Sequence, residues 1–300
     1  MNKKVLIFGS GSIAQRHYSI LKNKIDEVSQ IKIFTKRKLK KYSTINSHDD
    51  IIRYCPDYFI IATKTSEHLN NLKFIEKNFQ NKLILVEKPL FSKYKKIYTS
   101  NNSIFVGYNF RFHPIIQNIK KYIKRKKILS SDIICNSYLP HWRNSIDYNK
   151  SSSSSKKFGG GVLLDLSHEL DYAVIFFGKL KIIKSTNKKI SNLNINTDDY
   201  LHLHAISSKK TYVNINLNYF SKISTRLILI NGQNFTIKAD LIKNKMTIFD
   251  KKIKYFQFNI DRNYTYIKQH KAILNNKFEH VSNLSNGIEI MKLIEKIKNK

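Results

Sequence analysis

The sequence is poor in cysteine, with only Cys55 and Cys135 among its 300 residues. The two lie far apart and outside any Cys-x-x-Cys spacing, so they indicate neither a disulfide framework nor a thiolate metal site. Long apolar runs are also lacking: the one near the N-terminus is too short for a signal-peptide core, and none approaches the length of a membrane span. These absences predict a cytoplasmic protein that does not insert into a membrane.

Acidic residues are scarce as well, 21 against 54 lysines and arginines, which gives a formal charge of +33. Such a charge attracts polyanions, so a basic nucleic-acid-binding protein is one hypothesis. The lysines are nevertheless spread over the whole length beside many isoleucines and asparagines, and their densest clusters, residues 36–41 and 120–127, are local. Because no nucleic-acid-binding module is recognisable, we expect no nucleic-acid partner.

With 300 residues and 41% hydrophobic content, the chain can bury one large core or, more comfortably, two. In its N-terminal third, short apolar runs alternate with amphipathic segments, and such runs are typical of buried parallel strands. They lie at Val5 to Phe8, Ile31 to Phe34, Tyr58 to Ala62, Leu83 to Val86 and Ile104 to Gly107. The alternation predicts an α/β domain with a doubly wound parallel sheet.

The pattern changes after Pro114, where a basic helix is expected to about Lys127, followed by a strand near residues 133–138. A long polar loop with five consecutive serines, Ser151 to Ser155, comes next. Its composition favours a flexible loop or lid over a packed element.

A continuous helix is predicted from about Val162 to Phe177, ending at Gly178. From Lys181 to Phe258, polar and apolar residues alternate in the way that half-exposed strands do, which predicts a mostly antiparallel sheet. An amphipathic helix at about residues 285–298 completes the chain.

A glycine turn follows the first predicted strand and opens a helix, which is the context that a dinucleotide-binding motif requires. The glycines let the backbone turn and approach a pyrophosphate, and the amides of the helix N-terminus donate hydrogen bonds to it. The candidate cofactor contacts in this turn are Gly9, Gly11, Ser12, Ile13 and Ala14.

The end of the second strand bears on the choice between NAD and NADP. An acidic residue roughly 20 positions after the glycine motif would bind the ribose hydroxyls of NAD, whereas basic residues accommodate the 2′-phosphate of NADP. This chain has Thr35, Lys36 and Arg37 there, followed by Lys38. NADP is therefore the preferred cofactor, and NAD remains an alternative because the cations also fit the general lysine bias.

Five segments form an ordered set of motifs, namely the glycine turn, Ile60 to His68, Val86 to Pro89, Gly107 to Pro114 and Gly159 to His168. In this order they resemble the Gfo/Idh/MocA family, which includes glucose-fructose oxidoreductase and inositol dehydrogenase. The resemblance implies an N-terminal Rossmann domain, assigned to residues 1–117. It implies a substrate-binding α+β domain over residues 118–300, whose large, mostly antiparallel open sheet often serves in oligomerisation, so we expect a homo-oligomer.

The resemblance further implies oxidation or reduction of a sugar or cyclitol hydroxyl, with Lys88, Asp165 and His168 as the catalytic residues. A subgroup with a similar Asp-Leu-Ser-His-Glu-x-Asp-Tyr segment modifies sugars in surface polysaccharide pathways. Two positions depart from the family pattern. Lys64 stands where proline is usual, and Asp165 and His168 are one residue closer than usual, so that Glu169 occupies the histidine register.

The chemistry of these residue types agrees with the same assignment. Hydride transfer from an alcohol leaves a developing alkoxide, so a base must accept the hydroxyl proton and a cation must stabilise the oxygen. Lys88 ends a predicted parallel strand, where ligands bind in open α/β sheets. Asp165 and His168 are three residues apart and would share one face of the predicted helix.

Further candidates lie near strand ends and in the polar loop. Ala62, Thr63, His68 and Glu87 are candidate cofactor contacts, although His68 would equally serve as a helix cap. Arg111 could line a substrate cleft or form an ion pair, while Trp142 and Arg143 suit a sugar face and an anionic group. His202 and His204 share a strand face, but no third ligand accompanies them, so no metal is expected.

The sequence therefore predicts an NADP-preferring oxidoreductase acting on a hydroxyl or keto group of a sugar, an amino sugar or a nucleotide-linked sugar. The alternatives are a non-catalytic regulator that binds the dinucleotide and, less favoured, the basic nucleic-acid-binding protein considered above.

Overall fold

A computed structural model describes residues 2–37, 39–97, 99, 101–143 and 147–300. The chain divides by packing into two compact units, residues 1–109 with 262–291 and residues 110–261 with 292–300. The expected boundary after residue 117 therefore differs from the observed one. It also misses the return of residues 262–291 to the first unit, where a helix over Tyr264–Leu274 packs on the first helix of the chain. In the described part of the chain, no helix is both long and apolar enough to cross a membrane.

The first unit contains a mostly parallel sheet whose central strands are largely buried. Its strands are β1 (Lys3–Phe8), β2 (Val28–Phe34), β3 (Thr44–Ile45), β4 (Tyr58–Ile61), β5 (Leu83–Val86), β6 (Ser103–Val106) and β15 (Ser282–Asn283). The spatial order is β3-β2-β1-β4-β5-β6, with β15 added antiparallel at the β6 edge. This is the strand order of a Rossmann fold.

The helices of the first unit cover this sheet with their apolar faces. They are α1 (Ser12–Lys24), α2 (His48–Tyr54), α3 (His68–Asn78) and α7 (Tyr264–Leu274), followed by α8 (Leu284–Lys298), in which the division between the units falls. On α1 the buried positions are Ala14, His17, Ile20 and Leu21, so a histidine lies within the apolar stripe.

The second unit contains a mostly antiparallel open sheet. Its strands are β7 (Ile128–Tyr138), β8 (Leu180–Lys188), β9 (Tyr200–Ser207), β10 (Tyr212–Asn218), β11 (Phe220–Gly232), β12 (Thr236–Asp240), β13 (Lys245–Phe249) and β14 (Ile253–Gln257). The order is β14-β13-β12-β11-β7-β10-β9-β8, and β7 and β10 pair in parallel. The alternation along β9, with Leu201, Leu203 and Ala205 fully buried, explains why the sequence pattern predicted this sheet correctly.

The helices of the second unit depart from the expected pattern in two places. α4 (Pro114–Tyr122) ends before the predicted Lys127, and Arg125 already has a left-handed φ of 64°. The predicted continuous helix over 162–177 is wrong, since it is divided into α5 (Val162–Asp165) and α6 (His168–Phe177). Asp165 thus ends one helix and His168 begins the next, so they do not share a face of one regular helix.

The serine run is packed, which corrects the expectation of a flexible loop. Ser153 and Ser154 are buried, and the Ser154 hydroxyl donates to the carbonyls of Asn149 and Ser151, both at 2.8 Å. The carbonyl oxygen of Ser153 accepts from the Gly161 amide and the Thr197 hydroxyl. A side chain at Gly160 would collide with the Ser152 carbonyl, so this glycine is needed for the close packing.

Candidate functional site

The glycine turn joins β1 to α1 and contains two glycines with different requirements. Gly9 has φ 105°, and a Cβ there would approach the carbonyl oxygen of Ala62 to 2.6 Å, so the fold itself demands glycine. Gly11 caps α1, and a Cβ there would meet no protein atom within 4 Å. The space over Gly11 at the α1 N-terminus is therefore open, as the close approach of a pyrophosphate requires.

The other candidates in this turn and at the end of β2 border that helix terminus. Ser12 is exposed, Ile13 is partly exposed, and Ala14 is fully buried, where it packs α1 against the sheet. Thr35 accepts a hydrogen bond from the Arg37 amide at 3.1 Å, and Lys36 and Arg37 are exposed. Lys38 lies outside the described residues. Two exposed cations thus follow the strand that pairs with β1.

The turn after β4 carries Ala62, Thr63 and the unusual Lys64. Lys64 has φ −64°, which is the angle that a proline ring would impose, so the lysine preserves the turn without the ring. His68 is 1% exposed; its Nδ1 lies 3.1 Å from the Pro89 carbonyl oxygen, and its Nε2 lies 3.3 Å from that of Thr63. Burial lowers the pKa of His68. The imidazole therefore links the turns after β4 and β5.

Glu87 and Lys88 follow β5. The Glu87 carboxylate is buried and accepts from His17 Nε2 at 2.9 Å and from the Lys88 amide at 3.1 Å. Burial is the largest influence and raises the pKa of Glu87, but the hydrogen bond from His17 and the charge of Lys88 bring it below its ordinary value. Glu87 is therefore a buried anion, and Lys88 is partly exposed.

In the second unit, Asp165 is bound by a residue that the sequence did not indicate. The Tyr219 hydroxyl donates to Asp165 Oδ2 at 2.6 Å, and burial raises the pKa of Tyr219 well above its ordinary value. The Trp142 ring lies edge-on to Tyr219, with centroids 5.1 Å apart, and its Nε1 donates to the Ser137 hydroxyl at 2.9 Å. Trp142 thus anchors part of the polar loop and also contacts the residue that positions Asp165.

His168 packs against an aromatic ring that carries a cation on it. The centroids of His168 and Phe110 are 4.7 Å apart, and the Arg226 guanidinium lies 4.1 Å from the Phe110 centroid. Glu169 points elsewhere: it is fully buried, pairs with Arg226 Nε at 2.7 Å and accepts from the Tyr172 hydroxyl at 3.1 Å. These contacts engage the Glu169 carboxylate inside the second unit.

Arg111 and Arg143 occupy different environments. The Arg111 guanidinium donates to both carboxylate oxygens of the buried Asp171, the shortest contact being 2.6 Å. This ion pair lies within the second unit. Arg143 is exposed and borders a small cleft also lined by Leu139, Trp142, Tyr148, Ser151 and Ser153.

The two strand histidines have ordinary surroundings on the outer face of the sheet. His204 Nδ1 lies 2.7 Å from the Asn214 side-chain oxygen, and its ring stacks on Tyr212. Among the described residues, no group of three or more His, Cys, Asp or Glu side chains has the arrangement of a metal site.

The geometry adds residues that the sequence did not single out, namely Tyr219 beside Asp165 and His17 beside Glu87. His17 had one sequence signal, since it falls in the apolar stripe of α1, where a polar residue needs a buried partner. Tyr219 had none, because it is one of many aromatics at strand ends. The first unit thus offers an open helix N-terminus and a lysine, and the second an aspartate and an imidazole.

No protein-family model and no curated protein sequence matches the chain. Solved structures do share its fold over nearly their whole length. Levoglucosan dehydrogenase in complex with NADH is 16% identical, with a TM-score of 0.85, and the match covers 100% of this chain and 96% of that one.

Two further solved structures are of proteins that bind or act on a nucleotide sugar. The WlbA dehydrogenase from Bordetella pertussis, in complex with NADH and UDP-GlcNAcA, is 13% identical, with a TM-score of 0.80 and coverage of 100% and 96%. UDP-N-acetylglucosamine 3-dehydrogenase from Acidithiobacillus ferrooxidans is 14% identical, with a TM-score of 0.77 and coverage of 100% and 97%. These likenesses confirm the predicted fold, a Rossmann sheet and a large open sheet.

Proposed function

We propose that the chain is a nicotinamide-dependent oxidoreductase that interconverts a hydroxyl and a keto group on a sugar, an amino sugar or a nucleotide-linked sugar. The observation that carries this proposal is the open space over Gly11 at the N-terminus of α1, beside a Gly9 that the fold itself requires. The NADH and sugar ligands of proteins with the same fold support it. The nucleotide sugars favour a role in surface polysaccharide biosynthesis.

We assign dinucleotide binding to the first unit and substrate binding to the second. The proposed cofactor contacts are Gly9, Gly11, Ser12, Ile13, Ala14, Thr35, Lys36, Arg37, Ala62, Thr63, His68, Glu87 and Lys88. NADP is the proposed preference because Lys36 and Arg37 are exposed and offer two cations to a 2′-phosphate. His68 and Glu87 are both buried, so they would contribute to the cofactor site from the interior of the first unit.

When bound, the nicotinamide supplies or accepts the hydride. The Lys88 side chain would stabilise the negative charge that develops on the substrate oxygen, and His168 would accept the hydroxyl proton. Asp165, held by Tyr219, would bind a substrate hydroxyl. Glu169 has no part in this step because Arg226 and Tyr172 engage its carboxylate.

The proposed substrate contacts beyond these are Trp142 and Arg143, and Arg111, the third candidate, has a supporting role. Trp142 offers an aromatic face to a sugar, and the exposed Arg143 offers a charge to a carboxylate or phosphate. Arg111 is bound by Asp171, so its contribution would be to hold α6 in place. We further propose a cytoplasmic homo-oligomer joined through the open sheet, whose edge strands β8 and β14 expose Ile183, Ile253 and Tyr255.

The test is to incubate purified protein with NADP or NAD and a panel of free and UDP-linked sugars while following the reduced nicotinamide by absorbance. Turnover with a UDP-linked sugar supports the proposal. Cofactor binding without turnover on any sugar would favour the regulator instead. Tight DNA binding at physiological salt without cofactor affinity would favour the nucleic-acid-binding protein.

A further inference from the structure

A chain of buried hydrogen bonds in the first unit ends on the residue before Lys88. The Tyr58 hydroxyl lies 3.0 Å from His270 Nδ1, His270 Nε2 lies 2.8 Å from His17 Nδ1, and His17 Nε2 lies 2.9 Å from Glu87 Oε1. Tyr58, His17 and His270 are fully buried, and Glu87 is 7% exposed. Burying this much polar surface is costly unless every group is paired, and here each member has a partner.

The chemistry of the donors gives this chain a direction. Burial lowers the pKa of His270 well below its ordinary value, so that His270 is neutral and has a single N–H. Within the described residues, the Tyr58 hydroxyl has hydrogen-bond contact with His270 Nδ1 alone, and because a buried O–H needs an acceptor, the hydroxyl donates to Nδ1. His270 Nε2–H then donates to His17 Nδ1, and His17 Nε2–H donates to Glu87.

The Glu87 end of this chain of hydrogen bonds fixes the backbone at Lys88. The second Glu87 oxygen accepts the Lys88 amide at 3.1 Å. A Cβ at Gly107 would lie 3.0 Å from the Glu87 carboxylate, so the end of β6 closes over it. The carboxylate is thereby held on three sides, by α1, by its own strand end and by β6.

We propose that Tyr58, His270 and His17 are positioning residues that hold Glu87 as a carboxylate and so fix the backbone from which the Lys88 side chain extends. The proposal rests on the proposed function, because it assigns these residues to the placement of a catalytic lysine. It extends the site to α7, a helix that the sequence did not connect with it.

The titratable groups around Glu87 show that the His17 hydrogen bond matters for its charge. They are His17 on α1, Tyr58 on β4, His68 on α3, Lys88 on its own segment, and Tyr266 and His270 on α7, with Arg16 on α1 facing Tyr266. His68 and His270 both have lowered pKa values because they are buried. If the His17 donor is lost, the Glu87 carboxylate keeps two stabilising influences, the hydrogen bond from the Lys88 amide and the charge of the Lys88 side chain.

The first experiment needs no activity. Ring ¹⁵N NMR of the histidine-labelled protein, with signals assigned through His17→Gln and His270→Gln, reports which nitrogen carries the proton. Both rings are expected to be neutral and protonated at Nε2 at neutral pH. An Nδ1–H tautomer on either ring, or an imidazolium at His17, would overturn the proposed direction.

The second experiment is the pH titration of the Glu87 carboxylate, followed by ¹³C NMR with the signal assigned through Glu87→Gln. His17→Leu removes the donor, so the acid limb of this titration should begin about 1–2 pH units higher, the scale of one hydrogen bond to a charged group. His17→Gln retains a donor and should restore most of that shift. Tyr58→Phe should move the acid limb less, and Tyr54→Phe, which removes a buried hydroxyl of the same unit outside the chain, should not move it.

An unmoved acid limb in folded His17→Leu, or equal effects of Tyr58→Phe and Tyr54→Phe, would contradict the proposal while leaving the function intact. If His17→Leu does not fold, the comparison of Tyr58→Phe with Tyr54→Phe decides whether the proposal holds. If the wild type turns over no sugar, the proposed function fails, and the NMR experiments still decide whether the chain holds Glu87 as described.

Discussion

Each unit buries a glutamate, and the two units neutralise its charge by different means. Glu87 in the first unit accepts hydrogen bonds from an imidazole and a backbone amide, whereas Glu169 in the second pairs with Arg226 at 2.7 Å. An arginine keeps its charge throughout the range in which proteins are folded, while a neutral imidazole contributes only a hydrogen bond. The second unit therefore holds its glutamate against a cation that keeps its charge, and the first holds its glutamate with donors that form hydrogen bonds.

The largest expected effect on stability comes from breaking the ion pair between Arg226 and Glu169. Arg226→Leu leaves Glu169 buried without its cation, and it should lower the free energy of unfolding by about 3–5 kcal/mol. Denaturant titration measures this loss. The double variant Glu169→Leu/Arg226→Leu removes both charges and should recover most of it. Equal losses in the single and double variants would show that packing, rather than the uncompensated charge, sets the cost.

The next effect separates the two neighbours on α6. His168→Ala should lower turnover by about 100-fold or more, the usual contribution of general acid-base catalysis, with cofactor affinity unchanged. His202→Ala, on the outer face of the sheet, is the matched control and should leave turnover near the wild-type level. Glu169→Gln should lower stability, with turnover of the folded fraction retained. Turnover abolished by Glu169→Gln and unaffected by His168→Ala would assign proton transfer to the carboxylate.

The first unit also has cations on its surface, and two of them can be compared with Arg226 of the second unit. Unlike Arg226, Lys36 and Arg37 are exposed, and a bound 2′-phosphate would give them an ionic partner. Replacing both with Ala should weaken NADPH binding by about 1.5–3 kcal/mol and leave NADH binding nearly unchanged. Fluorescence titration with the two cofactors measures both affinities. Equal losses for NADPH and NADH would remove the basis for an NADP preference.

The parts of the fold that the sequence predicts are those in which one local signal dominates. Apolar runs located β1, β4 and β5 within a few residues, and the glycine turn located the start of α1. The break between α5 and α6 was not predictable because the apolar spacing continues through Leu166. The partner of Asp165 and the partner of His17 were hidden, since Tyr219 and His270 are distant from them in sequence and only the fold brings them into contact.

The smallest expected effect is the pH dependence of stability that follows from Glu87. Burial raises its pKa, but the hydrogen bond from His17 and the charge of Lys88 outweigh it, and the folded-state pKa lies below the ordinary value. The contribution of the carboxylate is therefore fully present above the ordinary carboxyl pKa and is lost as pH falls through the lower folded-state pKa. Glu87→Gln has no carboxylate to protonate.

Glu87→Gln should consequently be less stable than the wild type at neutral pH, and the difference should narrow as the pH falls through this acid window. Denaturant unfolding of both proteins at a series of pH values measures it, with Glu67→Gln, an exposed glutamate of the same unit, as the control whose difference from the wild type stays small throughout. A difference for Glu87→Gln that stays constant with pH would mean that the His17 hydrogen bond does not govern the ionisation of Glu87. The folded state would then leave the pKa of Glu87 at its ordinary value, and the two buried glutamates would differ in their partners alone.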